Sequence, residues 1–240
     1  MDLAKVAEAQ RAWWQAVAAG GRAAEKAALE AWARCGKSIA VLERNLVQIG
    51  YPRTELVQPC ASALDGRLQE IEESIGGVIP PVLKALWRSL GGLSLVDLDA
   101  YEHVIFWEDR GIFGPEGYCD GVFVDACTVE WVDYVSQEFL EWGTDEDSEF
   151  LISLSPDGYH KDNISGGESY GVYSGMDWAP VWQNFTWSGY VRPKTAPPDP
   201  LDLFSYVRTA LLECAGFPAL LGAEGFQEVK ERLLEGVPVF

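Results

Sequence analysis

Histidine and the basic residues are scarce in this chain, and each shortage argues against a class of function. Only two histidines occur among 240 residues, His103 and His160. Neither stands in H-E-x-x-H or H-x3-H spacing, which argues against a histidine-ligated metal site. The nucleophile elbow G-x-S-x-G and the phosphate loop G-x-x-x-x-G-K-[ST] are both missing. Five cysteines (Cys35, Cys60, Cys119, Cys127 and Cys214) are scattered, odd in number and without a C-x-x-C pair. They read as reduced thiols, not as a disulfide framework or a zinc site. No apolar run approaches the roughly 18 residues that span a bilayer. Asp2, Glu8 and Gln15 make the first stretch unlike a secretory signal. A cytoplasmic protein without cofactor or metal is the expectation.

What the chain has in excess is acid. It holds 18 Lys and Arg against 37 Asp and Glu, a net charge of −19. Such a protein is repelled by phosphate backbones and anionic lipid, so neither nucleic acid nor membrane is an expected partner, while a basic protein is. The excess is also localised. Residues 1–90 carry a net +1, residues 91–240 a net −20, and 91–150 hold 16 acids against the single base Arg110. A block of this kind is either a solvated face or a field that steers a cationic partner. Hydrophobic residues at 48% and aromatics at 12% are enough to build a core.

Periodicity gives the elements. Leu3, Val6, Trp13 and Val17 predict a first helix ending at Gly20-Gly21. Ala24, Ala28, Leu29 and Trp32 predict a second over about 22–35. Ser38 reads as the N-cap of a third, with Ile39, Leu42, Leu46 and Ile49 inward and Gly50 and Pro52 as its stop. Trp13, Trp14 and Trp32 read as packing residues. Pro52 and Pro59 bracket an expected linker at 51–60, dividing a helical N-terminal extension (1–55) from a main domain (56–240). Leu64, Leu68, Ile71 and Ile75 predict a helix, and Pro80-Pro81 opens another that Gly91-Gly92 stops. Strands are expected at 101–107, 121–125, 150–154, 169–174 and 180–185. Thr128 caps an expected helix through Trp142, Asp199-Pro200 starts one running to Gly216, and a final helix covers about 224–235. Helices and strands do not alternate, which favours an α+β fold with a mixed or antiparallel sheet surrounded by helices.

Candidate catalysts are few. Asp145, Glu146, Asp147 and Glu149 crowd one stretch, yet no D-x-[DN]-x-[DN]-G loop frames them, and a solvated loop is the simpler reading. His160 near Asp157 and Asp162 reads as a locally bonded turn histidine, and Cys119 and Cys127 as incidental thiols. An enzyme is not expected.

Three stretches, in order, resemble a known family. The first runs from Leu68 through Glu70, Glu72, Glu73, Gly76-Gly77 and Ile79-Pro80-Pro81 to Trp87 and Gly91-Gly92. The second runs from Ile152-Ser153 through His160-Lys161-Asp162-Asn163 and Ser165-Gly166-Gly167 to Tyr170-Gly171. The third is Phe204-Ser205-Tyr206-Val207-Arg208 leading to Gly216-Phe217-Pro218. Together they are similar to the SUKH superfamily over about 64–218. Where many members show Asn-Gly, this chain has Leu90-Gly91-Gly92, and a glycine pair meets the same backbone need. The resemblance implies an α+β fold, no catalytic residues, and either toxin immunity, as in many bacterial members, or a cytoplasmic interaction module.

Charge and resemblance converge on one expectation: an immunity protein that neutralises a basic toxin domain, a nuclease above all, by stoichiometric binding. Tyr101, Phe106, Trp107, Tyr118, Trp131, Tyr134 and Trp142 interleave the acids of 91–150. The expected partner-binding residues are Trp107 and Trp142 as anchors, flanked by Glu108, Asp109, Asp145, Glu146 and Asp147. The alternative is an adaptor or regulatory module that docks, or self-associates, through 1–50 with Trp13 and Trp14.

Overall fold

The computed structural model describes residues 2–18, 20–60, 62–75, 79, 81–96, 102–114, 121–124, 126–133, 137, 182–183, 194 and 201–240. Its architecture is α+β: helices pack around a small three-stranded antiparallel sheet. The elements are α1 (Leu3–Ala18), α2 (Gly21–Gln48), β1 (Val57–Gln58), α3 (Leu64–Ile75), α4 (Pro81–Ser89), β2 (Gly92–Ser94), α5 (Glu102–Glu108), β3 (Phe123–Val124), β4 (Trp182–Gln183), β5 (Leu201–Asp202), α6 (Leu203–Glu213) and α7 (Phe226–Leu233), with a 3-10 turn at Pro218–Leu220 before α7. The expected strands at 150–154 and 169–174 lie outside the described residues.

The axis of the molecule is α2, a single helix of 28 residues. Two helices with an N-cap at Ser38 were expected here. Gly36 lies inside this helix, although a glycine there costs about 1 kcal/mol relative to alanine. The glycine has a packing reason: a Cβ on Gly36 would stand 2.8 Å from Leu90 Cδ2, so the helix continues and the chain after α4 packs tightly against it. Ser38 lies mid-helix, where its hydroxyl donates to the Pro238 carbonyl at 2.8 Å. The expected stop is real. Gly50 takes φ 76°, its N–H reaches the Val47 carbonyl and the Tyr51 N–H reaches that of Leu46, a Schellman closure.

One core draws on both sides of the composition boundary. Ala28, Trp32, Cys35, Ile39, Leu42 and Leu46 of α2 are buried together with Leu83, Leu86 and Trp87 of α4 and with Phe204, Val207 and Leu211 of α6. Each large apolar side chain so buried contributes about 1.5–3 kcal/mol. The Trp32 indole N–H donates to the Val82 carbonyl at 2.9 Å, and its ring meets Phe204 edge-on at 4.7 Å. Residues 51–60, expected as a linker, carry the buried Tyr51 and Leu56 and supply β1.

Polar contacts of long sequence separation close the fold. Arg208 is buried in α6, with one guanidinium N–H on Gln10 Oε1 at 2.9 Å, while the Gln10 amide donates to Ser205 Oγ. Its charge lies 4.4 Å from the Phe204 ring centre, a favourable cation–π placement. Asn45 Nδ2 donates to the Leu233 and Glu235 carbonyls at 2.8 and 2.9 Å, satisfying acceptors at the C-terminal end of α7.

The sheet explains Gly91-Gly92. Val57 faces Leu93 and Gln58 faces Gly92, while Leu93 faces Val124 and Ser94 faces Phe123. Gly91 has φ 79°, and a Cβ there would sit 2.0 Å from the Gln58 carbonyl oxygen. Glu72 Oε1, near the end of α3, accepts the Ile79 N–H at 2.9 Å and pairs with Lys84 Nζ of α4, tying the two helices together. Three further outcomes differ from expectation or bear it out. Residues 102–108 are helix, not strand. Helix α6 starts at Leu203 after the short strand β5, not at Asp199-Pro200, which lie outside the described residues. Thr128 does cap a helical turn over 129–133, its Oγ1 accepting the Trp131 N–H at 3.2 Å.

Candidate partner-binding surface

Helix α5 sits in the acidic block and has two unlike faces. His103, Phe106 and Trp107 are buried, whereas Glu102, Ile105, Glu108 and Asp109 are exposed. A strand was expected because Val104 and Phe106 alternate with Ile105 and Trp107. A single turn of helix separates them just as well, placing 103, 106 and 107 on one side and 102, 105, 108 and 109 on the other. The helix ends in a second Schellman closure. Gly111 has φ 66°, its N–H reaches the Glu108 carbonyl at 2.8 Å, and the N–H of buried Ile112 reaches Trp107 O at 3.0 Å.

Trp107 therefore does not serve as a surface anchor. Its relative exposure is 0%, and its ring lies 4.9 Å from Phe106, 4.9 Å from Phe217, 5.7 Å from Phe226 and 5.9 Å from Tyr51. It is a hub of the aromatic core beneath α5. Phe106 and Trp131 are also buried, Trp131 against Trp87 with centroids 5.0 Å apart. Glu108 and Asp109 do face outward, as expected. Trp142, Asp145, Glu146 and Asp147 lie outside the described residues, as do Tyr101, Tyr118 and Tyr134.

Among the described residues of the acidic block, the large apolar side chains that reach the surface are Ile105, Phe113 and Val129, none of them expected as an anchor. Ile105 is 54% exposed among Glu102, Glu108 and Asp109, and Phe113, just past the closing turn, is 48% exposed. Helical spacing applied to 102–108 would have found Ile105, since it sits opposite Phe106 and Trp107. Phe113 carries no such periodic signal.

The electrostatics of this surface are one-sided. Arg110, the single base of the block, is exposed, but its guanidinium is committed: it lies 3.5 Å from the Phe106 ring centre and donates to the Phe106 and Ile49 carbonyls. It thereby ties the end of α5 to the C-terminal end of α2, where the helix dipole favours a cation. Among the described residues, ion pairs join Lys5 to Asp2, Lys26 to Glu30, Arg67 to Glu70, Lys84 to Glu72, and Arg88 to Glu25 and Asp65. All fall within 1–90, so none of them offsets Glu102, Glu108, Asp109, Glu130 or Asp133.

Other chemistry is thin around α5. A cleft of about 330 Å³ between residues 52–59 and the first turn of α5 is lined by Arg53, Glu55, Glu102 and His103. Arg53 Nε is committed to the Ser94 carbonyl at 2.8 Å. Among the described residues, no three His, Cys, Asp or Glu side chains gather to hold a metal ion, and no helix is long and apolar enough to cross a membrane. Burial raises the thiols of Cys35, Cys60, Cys127 and Cys214, with Cys127 pushed up to about 12, so all four stay protonated at neutral pH. In comparison with known proteins, the chain matches no family model, no curated protein and no solved structure.

Proposed function

We propose that this chain is a cytoplasmic immunity protein of the SUKH type, which binds a basic toxin domain of the nuclease class stoichiometrically and catalyses nothing. The observation that carries the reading is the outer face of α5, where Glu102, Glu108 and Asp109 surround Ile105 and precede the exposed Phe113. A nuclease must present positive potential to hold phosphates, and an acidic face competes for that same surface while speeding encounter. Ile105 and Phe113 take the anchoring role first expected of Trp107, since affinity comes from apolar groups that lose water at the centre of a contact. The three stretches that resemble the SUKH superfamily support the same class.

The rival reading, an adaptor docking through residues 1–50, has less to work with. Trp13 and Trp32 are committed to the core, Trp13 with its ring tilted against Phe204 at 4.4 Å, and only Trp14 of the three is partly exposed, at 36%.

The test is co-expression. A compact, basic toxin domain encoded beside this chain should poison a host that the chain then rescues. With both proteins purified, Glu108→Lys combined with Asp109→Lys should slow association about tenfold at low ionic strength and flatten its salt dependence. Rescue that survives the double reversal with an unchanged association rate rejects α5 as the contact. Failure of rescue by the unaltered chain rejects immunity towards that toxin.

A further inference from the structure

Cys60 and Cys127 meet where the three-stranded sheet ends. Cys60 lies two residues past β1, Cys127 three past β3, and β2 begins between those two exits. The backbones are closely drawn together there: a Cβ on Gly91 would stand 2.8 Å from the Cys60 nitrogen, and one on Gly92 2.6 Å from the Ala126 nitrogen. With glycine between the two exits, the Cys127 backbone N–H is directed at the Cys60 sulfur, and negative charge on Cys60 is felt at the Cys127 thiol. The two differ in access. Cys60 is half-buried at the margin of the core, whereas Cys127 is fully buried within it. Burial keeps both thiols protonated at neutral pH.

We infer that Cys60 and Cys127 form a dithiol that an oxidant such as hydrogen peroxide closes to a disulfide across the end of the sheet. Cys60 is the sulfur a small oxidant reaches. As the thiolate it attacks one oxygen of hydrogen peroxide, the O–O bond breaks, and the departing hydroxide takes a proton to leave as water, giving a sulfenic acid. The Cys127 sulfur then attacks that sulfur. The S–S bond forms, the S–O bond breaks, and the hydroxyl leaves with the Cys127 proton as a second water. One peroxide is reduced to two waters while two thiols give up two electrons. The site is separate from the α5 surface and does not depend on the binding role.

The experiment uses the whole chain, purified reduced, treated with hydrogen peroxide, quenched with an alkylating reagent and mapped by mass spectrometry without reduction. A peptide pair joined through Cys60 and Cys127, released by dithiothreitol, is the expected product. Its formation should quicken about tenfold from pH 7 to pH 8, in step with the thiolate fraction. Cys60→Ser should abolish the link and leave Cys127 reduced. Should that variant fail to fold, the map of the unaltered chain decides alone. Cys60 driven to sulfinic or sulfonic acid beside a reduced Cys127, Cys60 linked to a different cysteine, or both thiols unchanged at peroxide levels that oxidise methionine would each overturn the inference.

Discussion

Replacing Trp107 with alanine separates a core role from a binding role more sharply than any other change. The side chain is fully buried and has four aromatic neighbours with centroids between 4.9 and 5.9 Å away. Truncation of such a residue costs about 3–5 kcal/mol, from lost transfer energy and the cavity left behind. For a chain of this length that lowers Tm by roughly 10 °C. Among the described residues the indole N–H finds no acceptor, and a buried unmet donor costs about 1–3 kcal/mol. Trp107→Phe removes that donor while keeping most of the ring, so it should cost much less than alanine. Ile105→Ala, two residues away on the opposite face and 54% exposed, should shift stability by no more than about 0.5 kcal/mol. Urea unfolding followed by tryptophan fluorescence and by circular dichroism measures all three, as a moved midpoint at constant slope. A Trp107→Ala protein that unfolds at the wild-type midpoint yet no longer binds its partner would refute the burial argument and restore Trp107 as an anchor.

Three other changes probe the rest of the frame. Gly91→Ala should destabilise by more than about 3 kcal/mol in the same urea assay, because its Cβ would stand 2.0 Å from the Gln58 carbonyl and φ is positive. Asn45→Ala leaves the Leu233 and Glu235 carbonyls without their donor and should cost about 1–3 kcal/mol, with amide exchange quickening first in α7. Alkaline pH should weaken the fold: the folded thiol of Cys127 is raised to about 12 from 9.0, so its contribution is intact below pH 9 and is lost as pH climbs towards 12. The slope is about 1.4 kcal/mol per pH unit for each such thiol, and Cys127→Ala should remove one thiol's share of it.

Helical period in the sequence was enough to place α1, α3, α4 and α7 within a few residues, because each carries an uninterrupted apolar stripe facing one core. It failed where a local signal had a distant cause. The break expected at Ser38 overlooks Leu90, packed against Gly36, and Ser38 reads as a cap only until the Pro238 carbonyl is found beside it. Both partners lie tens to hundreds of residues away, so no window could contain them. Segment 101–107 failed for a different reason: in so short a run, alternation and a helical turn are equally well matched, and the choice is made by the aromatic cluster of Tyr51, Phe217 and Phe226 below. The acidic character of the candidate surface was fully legible as composition. Its apolar centre was not, because an exposed Ile105 and a buried Trp107 differ only in which way a helix is turned.

The threading of residues 237–240 against the first two helices has a consequence for biosynthesis. Ser38 bonds to Pro238, Asn45 to Leu233 and Arg208 to Gln10, so these partners of α1 and α2 are made 188 to 200 residues after or before one another along the chain. At about 5–20 residues per second, a ribosome makes these partners some ten seconds or more after α2, whereas α4, which covers much of the α2 apolar stripe, follows within about 40 residues. During that interval α2 and α4 already have each other to pack against, while Ser38 and Asn45 wait for acceptors that lie nearly 200 residues further on.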